Sequence, residues 1–263
     1  MAPRCRVRCR NYLFVFLPGD WPVTRHLDSW SSASGFAYNL SFMDLHAFYR
    51  PILQHFRKSR MRLFAEMFAV TSQSKVLDLG GGAFNWTLLE VRPQLTILDI
   101  YEHSDKADWA QYVVGDGCHM SFADRSFDIV FSNSVIEHVG GLERQREFAG
   151  EVMRCGGAFF VQTPNKWFPV DTHTLMPFAH WLPQRIFRKL IRFSPRFLFF
   201  KTDPGDLADF ANMRLLGRKE LQQLFPGAEI VEEKFFGLTK SLIAVSPAVA
   251  RDGARPAVDT VRE

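Results

Sequence analysis

The chain has 263 residues, 47% of them hydrophobic and 23% charged, with a net charge of +4. That is the balance of a globular protein with room for one large domain or two small ones; it excludes a disordered chain, and no apolar run is long enough to span a bilayer. The four cysteines, Cys5, Cys9, Cys118 and Cys155, are too scattered for a disulfide framework and are those expected of a reducing, cytoplasmic compartment.

Residues 1–42 lack sustained periodicity and are expected to form a poorly ordered basic leader. Arg4, Arg6, Arg8 and Arg10 precede a short apolar run, Tyr12 to Leu17, that is too brief for a signal peptide. Cys5 and Cys9 have the first spacing of an iron–sulfur motif, but Tyr12 stands at the third position, so no cluster is expected. From Met43 to Ala69 apolar residues recur at helical spacing, with a break expected at Pro51. Short apolar runs follow at 75–79, 95–99, 111–114, 127–132, 157–162, 228–235 and 241–246, with helical stretches expected between most of them, notably 141–154 and 217–225. Such alternation predicts a mainly parallel sheet with right-handed crossovers. The short link Gly237 to Lys240 makes the last two strands antiparallel. Between the fifth strand and the helix near Gly217 lies an insertion, 164–216, far longer than an ordinary connection, and the tail 247–263 is expected to be disordered. The 26 phenylalanines outnumber what the strand pattern uses, which points to an aromatic-rich core or an apolar pocket.

The first strand runs into three consecutive glycines, Gly80, Gly81 and Gly82, before a helix expected from about Asn85. Glycines there remove the Cβ atoms that would hold a ligand away from the backbone. A dinucleotide site wants a third spaced glycine, where Asn85 stands, and Asp78 just before the turn is poorly placed beside a pyrophosphate. S-adenosyl-L-methionine (SAM), with its sulfonium and ammonium, suits that carboxylate. Asp99 ends the second strand, 19 positions beyond Gly80, where a ribose diol needs an acceptor; Asp116, before Gly117, is placed for an adenine amino group. Each has an ordinary alternative, a helix cap for Asp99 and a turn residue for Asp116. The triple glycine, Asp99 and Asp116 together at the carboxyl ends of successive strands favour SAM.

The motifs VLDLGGG, ILDI (ending at Ile100), GDG and SFDIVFSNSVIEHVGG, which contains Asn133, Glu137 and His138, resemble those of class I SAM-dependent methyltransferases of the type 11 group. The resemblance implies a methyltransferase domain over 43–246. Its fold would be a Rossmann-like α/β sheet in the order 3-2-1-4-5-7-6, with helices on both faces and residues 164–216 as an inserted helical lid. It implies SAM as cofactor, held by Asp78, Gly80, Gly81, Gly82, Asp99, Ile100, Asp116, Gly117 and Asn133. Phe84 stands where relatives carry glycine and would be a cofactor-pocket wall or an ordinary core residue.

Methyl transfer to a hydroxyl or amine needs alignment and removal of a proton. His173, with Asp171, follows the fifth strand and is the first candidate base; His138 is a second, with a structural role as its alternative. Some relatives hold a divalent metal in an E-x-x-E-H turn, but Ser134 occupies the first acidic position here, and no metal is expected. The expected acceptor is a small molecule or a lipid-linked one, methylated at oxygen. Alternatives are RNA or protein methylation and a non-catalytic SAM-binding protein; no appended nucleic-acid module and no N-P-P-Y-like turn is present, so nucleic acid is not expected. Residues 184–201 carry Arg185, Arg188, Lys189, Arg192, Arg196 and Lys201 without an acid, suggesting a roof over the site with contact to an anionic membrane.

Overall fold

The computed structural model describes residues 45–171, 173–199 and 209–246. The expected leader with Cys5 and Cys9, the tail, and Thr172 and residues 200–208 of the insertion lie outside the described residues.

Strands β1 (Lys75–Leu79), β2 (Gln94–Asp99), β3 (Ala110–Val114), β4 (Phe127–Asn133), β5 (Gly156–Pro164), β6 (Glu229–Phe235) and β7 (Leu238–Val245) form one sheet in the order β3-β2-β1-β4-β5-β7-β6. β1 to β5 pair in parallel, while β7 is antiparallel to both β5 and β6. This is the Rossmann-like order expected. Because strand side chains alternate, β1 sends Val76 to one face and Leu77 and Leu79 to the other. The first face packs Val76, Ile97, Ile129, Phe131 and Phe160 on Met61 and Phe64 of helix α1 (Leu45–Phe68) and on Trp86. The second packs Leu77, Leu79, Val130 and Val161 on Phe148 and Val152 of α3 (Leu142–Cys155) and on Leu221 and Leu224 of the helix Arg218–Leu224. Phe64, Phe131, Phe148 and Phe160 are fully buried, so much of the phenylalanine excess is core.

Three local expectations are corrected. α1 runs unbroken through Pro51, whose fixed φ suits a helix and whose missing N–H forfeits one bond near the helix start. The crossover after β1 holds only the one-turn helix α2 (Ala83–Trp86), and the β2–β3 and β3–β4 connections contain no helix. Helices therefore do not fill most connections; the gaps 100–109 and 115–126 leave little room for a helix and its two loops. The final hairpin turns on Phe236 and Gly237 alone, with φ of 49° and 77°, the paired positive values of a type I′ turn, so β7 begins earlier than expected.

The insertion forms short helices, α4 (Gln184–Leu190) and α5 (Pro195–Phe199), over a small core of Ala179, Phe187, Ile191, Phe210 and Met213. Helix Arg218–Leu224, α6, then returns the chain to the sheet; Gly217 donates its N–H to Glu220 at 2.9 Å as half of a capping box.

Candidate functional site

The glycine turn is built against two neighbours. Gly80 has φ +62°, the left-handed region, and a Cβ on it would lie 2.8 Å from Val135 Cγ2. A Cβ on Gly81 would lie 1.9 Å from Asp78 Oδ2. Both positions therefore require glycine. Gly82 caps α2 in an extended conformation, and Phe84 is half-buried beneath the Arg57 guanidinium, 5.6 Å from its ring centre.

Asp78 is buried under this turn. Trp86 Nε1–H donates to its Oδ2 at 2.8 Å, and its Oδ1 has no hydrogen-bond partner. Burial pushes its carboxyl up to about 8; the Trp86 bond opposes this and the Asp99 charge adds to it. An orphaned carboxyl oxygen beside a Cβ-free turn fits a cationic group and does not fit a pyrophosphate. These residues thus suit SAM.

Backbone bonds gather the other candidates. Gly80 N–H donates to Leu98 O and Gly115 N–H to Asp99 O, both at 2.8 Å, so the glycine turn, the end of β2 and the Gly115–Gly117 turn share one edge. Asp99 is buried, with Ile100 half-buried beside it; its Oδ1 accepts from Tyr101 N–H at 3.1 Å and its Oδ2 lies 3.3 Å from His103 Nε2. Asp116 pairs with Arg144 at 2.6 Å and accepts from Cys118 N–H at 2.9 Å. Burial acts upward on Asp116, but these two donors outweigh it and hold the carboxyl low. A Cβ on Gly117 would meet Phe148 at 3.0 Å, which gives that glycine a packing reason. Asn133 ends β4 and accepts from Arg60 Nη1, whose other nitrogens bind Glu233. His103, Arg144 and Arg60 escape sequence reasoning; only the four-residue spacing from Asp99 to His103 hints at one of them.

On the other sheet face the turn after β4 meets the start of the insertion. His138 N–H donates to Val135 O at 2.8 Å, so the residue packed on Gly80 also anchors His138. His138 Nε2 and His173 Nε2 are 3.3 Å apart, and His173 Nδ1 is 3.1 Å from Asp171 Oδ1. Asp171 also accepts from His173 N–H, Thr174 N–H and Thr174 Oγ1, the last at 2.6 Å. Burial alone would raise Asp171, but His173 and Thr174 bring it down to about 2. Burial acts downward on His173, yet Asp171 and Glu137 together raise it above the usual imidazole range. His138 is pushed down to about 3 by burial and by His173. Buried Glu137 accepts from Thr163 at 3.0 Å, and its Oε1, 3.9 Å from His173 Nε2, makes no hydrogen bond; burial raises its carboxyl.

Two Nε2 atoms at this distance need a proton or another cation between them. An imidazolium at His173 meets that need, donating from Nδ1 to Asp171 and from Nε2 to neutral His138. Glu137, His138 and His173 also place three donor atoms within 4.8 Å of one another, a set a metal ion could use. Ser134 removes the first acidic position of the metal-binding turn, and the fold supplies a different third donor, His173. His180, the weakest of the histidines, binds Lys166 O at 3.0 Å.

Residues 77–161 match the model of a family described as a methyltransferase domain, type 11. Among solved structures, a protein of Pyrococcus horikoshii OT3 is similar at 19% identity and TM-score 0.41, covering 79% of this chain and 91% of its own. A SAM-dependent methyltransferase of Methanosarcina mazei is similar at 15% identity and TM-score 0.40, with 67% and 92% covered. Magnesium protoporphyrin IX methyltransferase from Synechocystis PCC 6803 with bound SAH is similar at 11% identity and TM-score 0.45, with 82% and 90% covered. No curated protein matches the sequence. The strand order, the glycine turn and buried Asp78 accord with that match to a methyltransferase domain over residues 77–161, and the residues at the turn suit SAM as cofactor.

Proposed function

We propose that the protein transfers a methyl group from SAM to an oxygen of a small-molecule or lipid-linked acceptor, with His173 as general base. The observation that carries this reading is the Asp171–His173–His138 chain, tied through Val135 to the glycine turn. The bound cofactor supplies an electrophilic methyl on a sulfonium. In the form lacking its Nε2 proton, His173 would take the acceptor hydroxyl's proton as that oxygen receives the methyl group and the sulfur keeps the electron pair of its carbon bond. Asp171 and Glu137 then stabilise the imidazolium, and burial keeps His138 neutral as its hydrogen-bond acceptor.

The expected kinetic result is a rate that rises with pH through a value above that of an ordinary histidine, because Asp171 holds the inactive protonated form. His173→Ala should lower turnover about 10²–10⁴-fold with SAM affinity kept, and Asp171→Asn should move the limb to lower pH. A pH-independent rate removes His173 as base, and turnover that requires an added divalent ion and is lost to chelator reassigns the cluster to metal binding. Labelled SAM incubated with metabolite, lipid and RNA fractions identifies the acceptor. Label in RNA or protein favours the macromolecular reading, and SAM binding with no labelled product favours a binding protein.

The lipid-linked arm is supported by the insertion's surface. Phe178, Trp181, Leu182, Ile186 and Phe193 are exposed beside exposed Arg185, Arg188, Lys189 and Arg192. Apolar side chains that enter the interface and cations that meet anionic headgroups are what a peripheral contact needs.

A further inference from the structure

Three cations crowd the carboxyl edge of the sheet on the α1 face, and Glu233 answers one of them. Arg60 takes that carboxylate through Nε and Nη2, at 2.8 and 2.6 Å, while its Nη1 reaches Asn133. Arg57, one turn earlier on α1, and Lys240 in β7 have ring faces for partners. The Arg57 guanidinium lies 5.6 Å from the Phe84 ring centre and Lys240 Nζ 4.0 Å from that of Phe56. Among the described residues neither side chain makes a hydrogen bond or a salt bridge.

Both are half-buried. Burial and the neighbouring Arg60 charge push both down; Lys240 reaches about 8 even with Glu233 acting the other way. A ring face returns less to a cation than a desolvated charge needs. Their position is specific. Phe84 follows the glycine turn, Asn133 ends β4, and Lys240 O accepts from Asn165 N–H at 2.9 Å, just past β5. Arg57 thus reaches the residue after the glycine turn and Lys240 the end of β5, with Arg60 acting on both.

We infer that Arg57 and Lys240 form a receptor for an oxyanion, a phosphate or a carboxylate, carried by the methyl acceptor. Arg60, fixed by Glu233 and Asn133, adds its field. That the anion belongs to an acceptor rests on the methyl-transfer reading; the electrostatics of the receptor do not, so phosphate binding without turnover tests it separately.

The test titrates inorganic phosphate into the full chain by calorimetry, with SAM titrated in parallel. Saturable binding is expected, weakened about tenfold or more in Arg57→Gln and in Lys240→Gln, the loss of one charge-assisted contact. SAM affinity should stay within about twofold, and the unfolding midpoint should rise as mutual repulsion is removed. Lys219→Gln, at an exposed position of α6, should leave phosphate affinity unchanged. Phosphate binding that is absent, or unaffected by either variant, or weakened equally by Lys219→Gln overturns the inference. So does loss of SAM affinity in Arg57→Gln, which assigns the anion to the cofactor's own carboxylate. Displacement of phosphate by glycerol phosphate but not by phosphatidic acid vesicles identifies a soluble acceptor, and the reverse a lipid; either upholds the receptor.

Discussion

Asp78 and Asp171 are both buried carboxyl groups, yet they ionise in opposite directions. Asp171, down at about 2, has four donor contacts from two residues, so its ionisation stabilises the fold above its unfolded value near pH 4, and that contribution is lost as pH falls through about 2. Raised His173 contributes below its unfolded value near 6.5 and loses that contribution as pH rises through its higher folded value. Asp171→Asn should remove both dependences, checked by denaturant unfolding across pH. Asp78, up at about 8, has one donor and an orphaned oxygen, so it weakens the fold increasingly from about pH 4 to about 8. Asp78→Asn should flatten that slope. A cation arriving at Asp78 should expel its proton, and calorimetry of SAM binding in buffers of different ionisation heat should record net proton release near pH 7. Gly81→Ala places a carbon 1.9 Å from Asp78 Oδ2 and should abolish SAM binding.

The elements show where sequence pattern suffices. β1 to β5 stood within a residue or two of expectation because apolar runs bounded by Gly and Asp are read locally. The one-turn α2 and the helix-free connections after β2 and β3 were missed because their apolar residues, such as Leu88 and Leu89, pack on the sheet without helical backbone. α3 compensates for the missing helix before β4. Glu151 accepts from Met120 N–H at 2.7 Å, and Arg154 donates to Met120 O and Phe122 O, so one helix holds the whole 115–126 loop. Helix α1 is the counterpart on the opposite face, where Phe64 meets Trp86, Phe131 and Phe160 at ring-centre distances of 5.0 to 5.6 Å. Phe64→Ala should cost about 3–5 kcal/mol in denaturant unfolding and should loosen the helix that carries Arg57 and Arg60.

At the scale of the molecule, the edge bearing the glycine turn was legible, and the histidine cluster and the Arg60–Glu233 pair were not. Gly80 and Asp99 announce themselves by position after strands; the 3.3 Å approach of His138 to His173 spans 35 residues of sequence, and the Arg60–Glu233 pair spans 173. Such contacts follow from strand order, which local pattern implies only through topology. Charge is likewise segregated along the chain. If the basic, aromatic insertion meets lipid, the protein should sediment with phosphatidylglycerol vesicles and not with phosphatidylcholine ones, and raised salt or neutralising Arg185, Arg188, Lys189 and Arg192 should release it. Equal binding to both vesicle types, or none, removes membrane contact from the account.

Trp86 has a further use. Its ring is fully buried and its N–H is bonded to the one carboxyl group under the glycine turn. Ionising that carboxyl changes the electric field along the indole, so the intrinsic fluorescence of Trp86 should shift when SAM binds and should follow the same titration in its absence. With Trp109, Trp167 and Trp181 replaced by Phe to reduce background, the protein would carry its own optical gauge of cofactor occupancy, with no label attached.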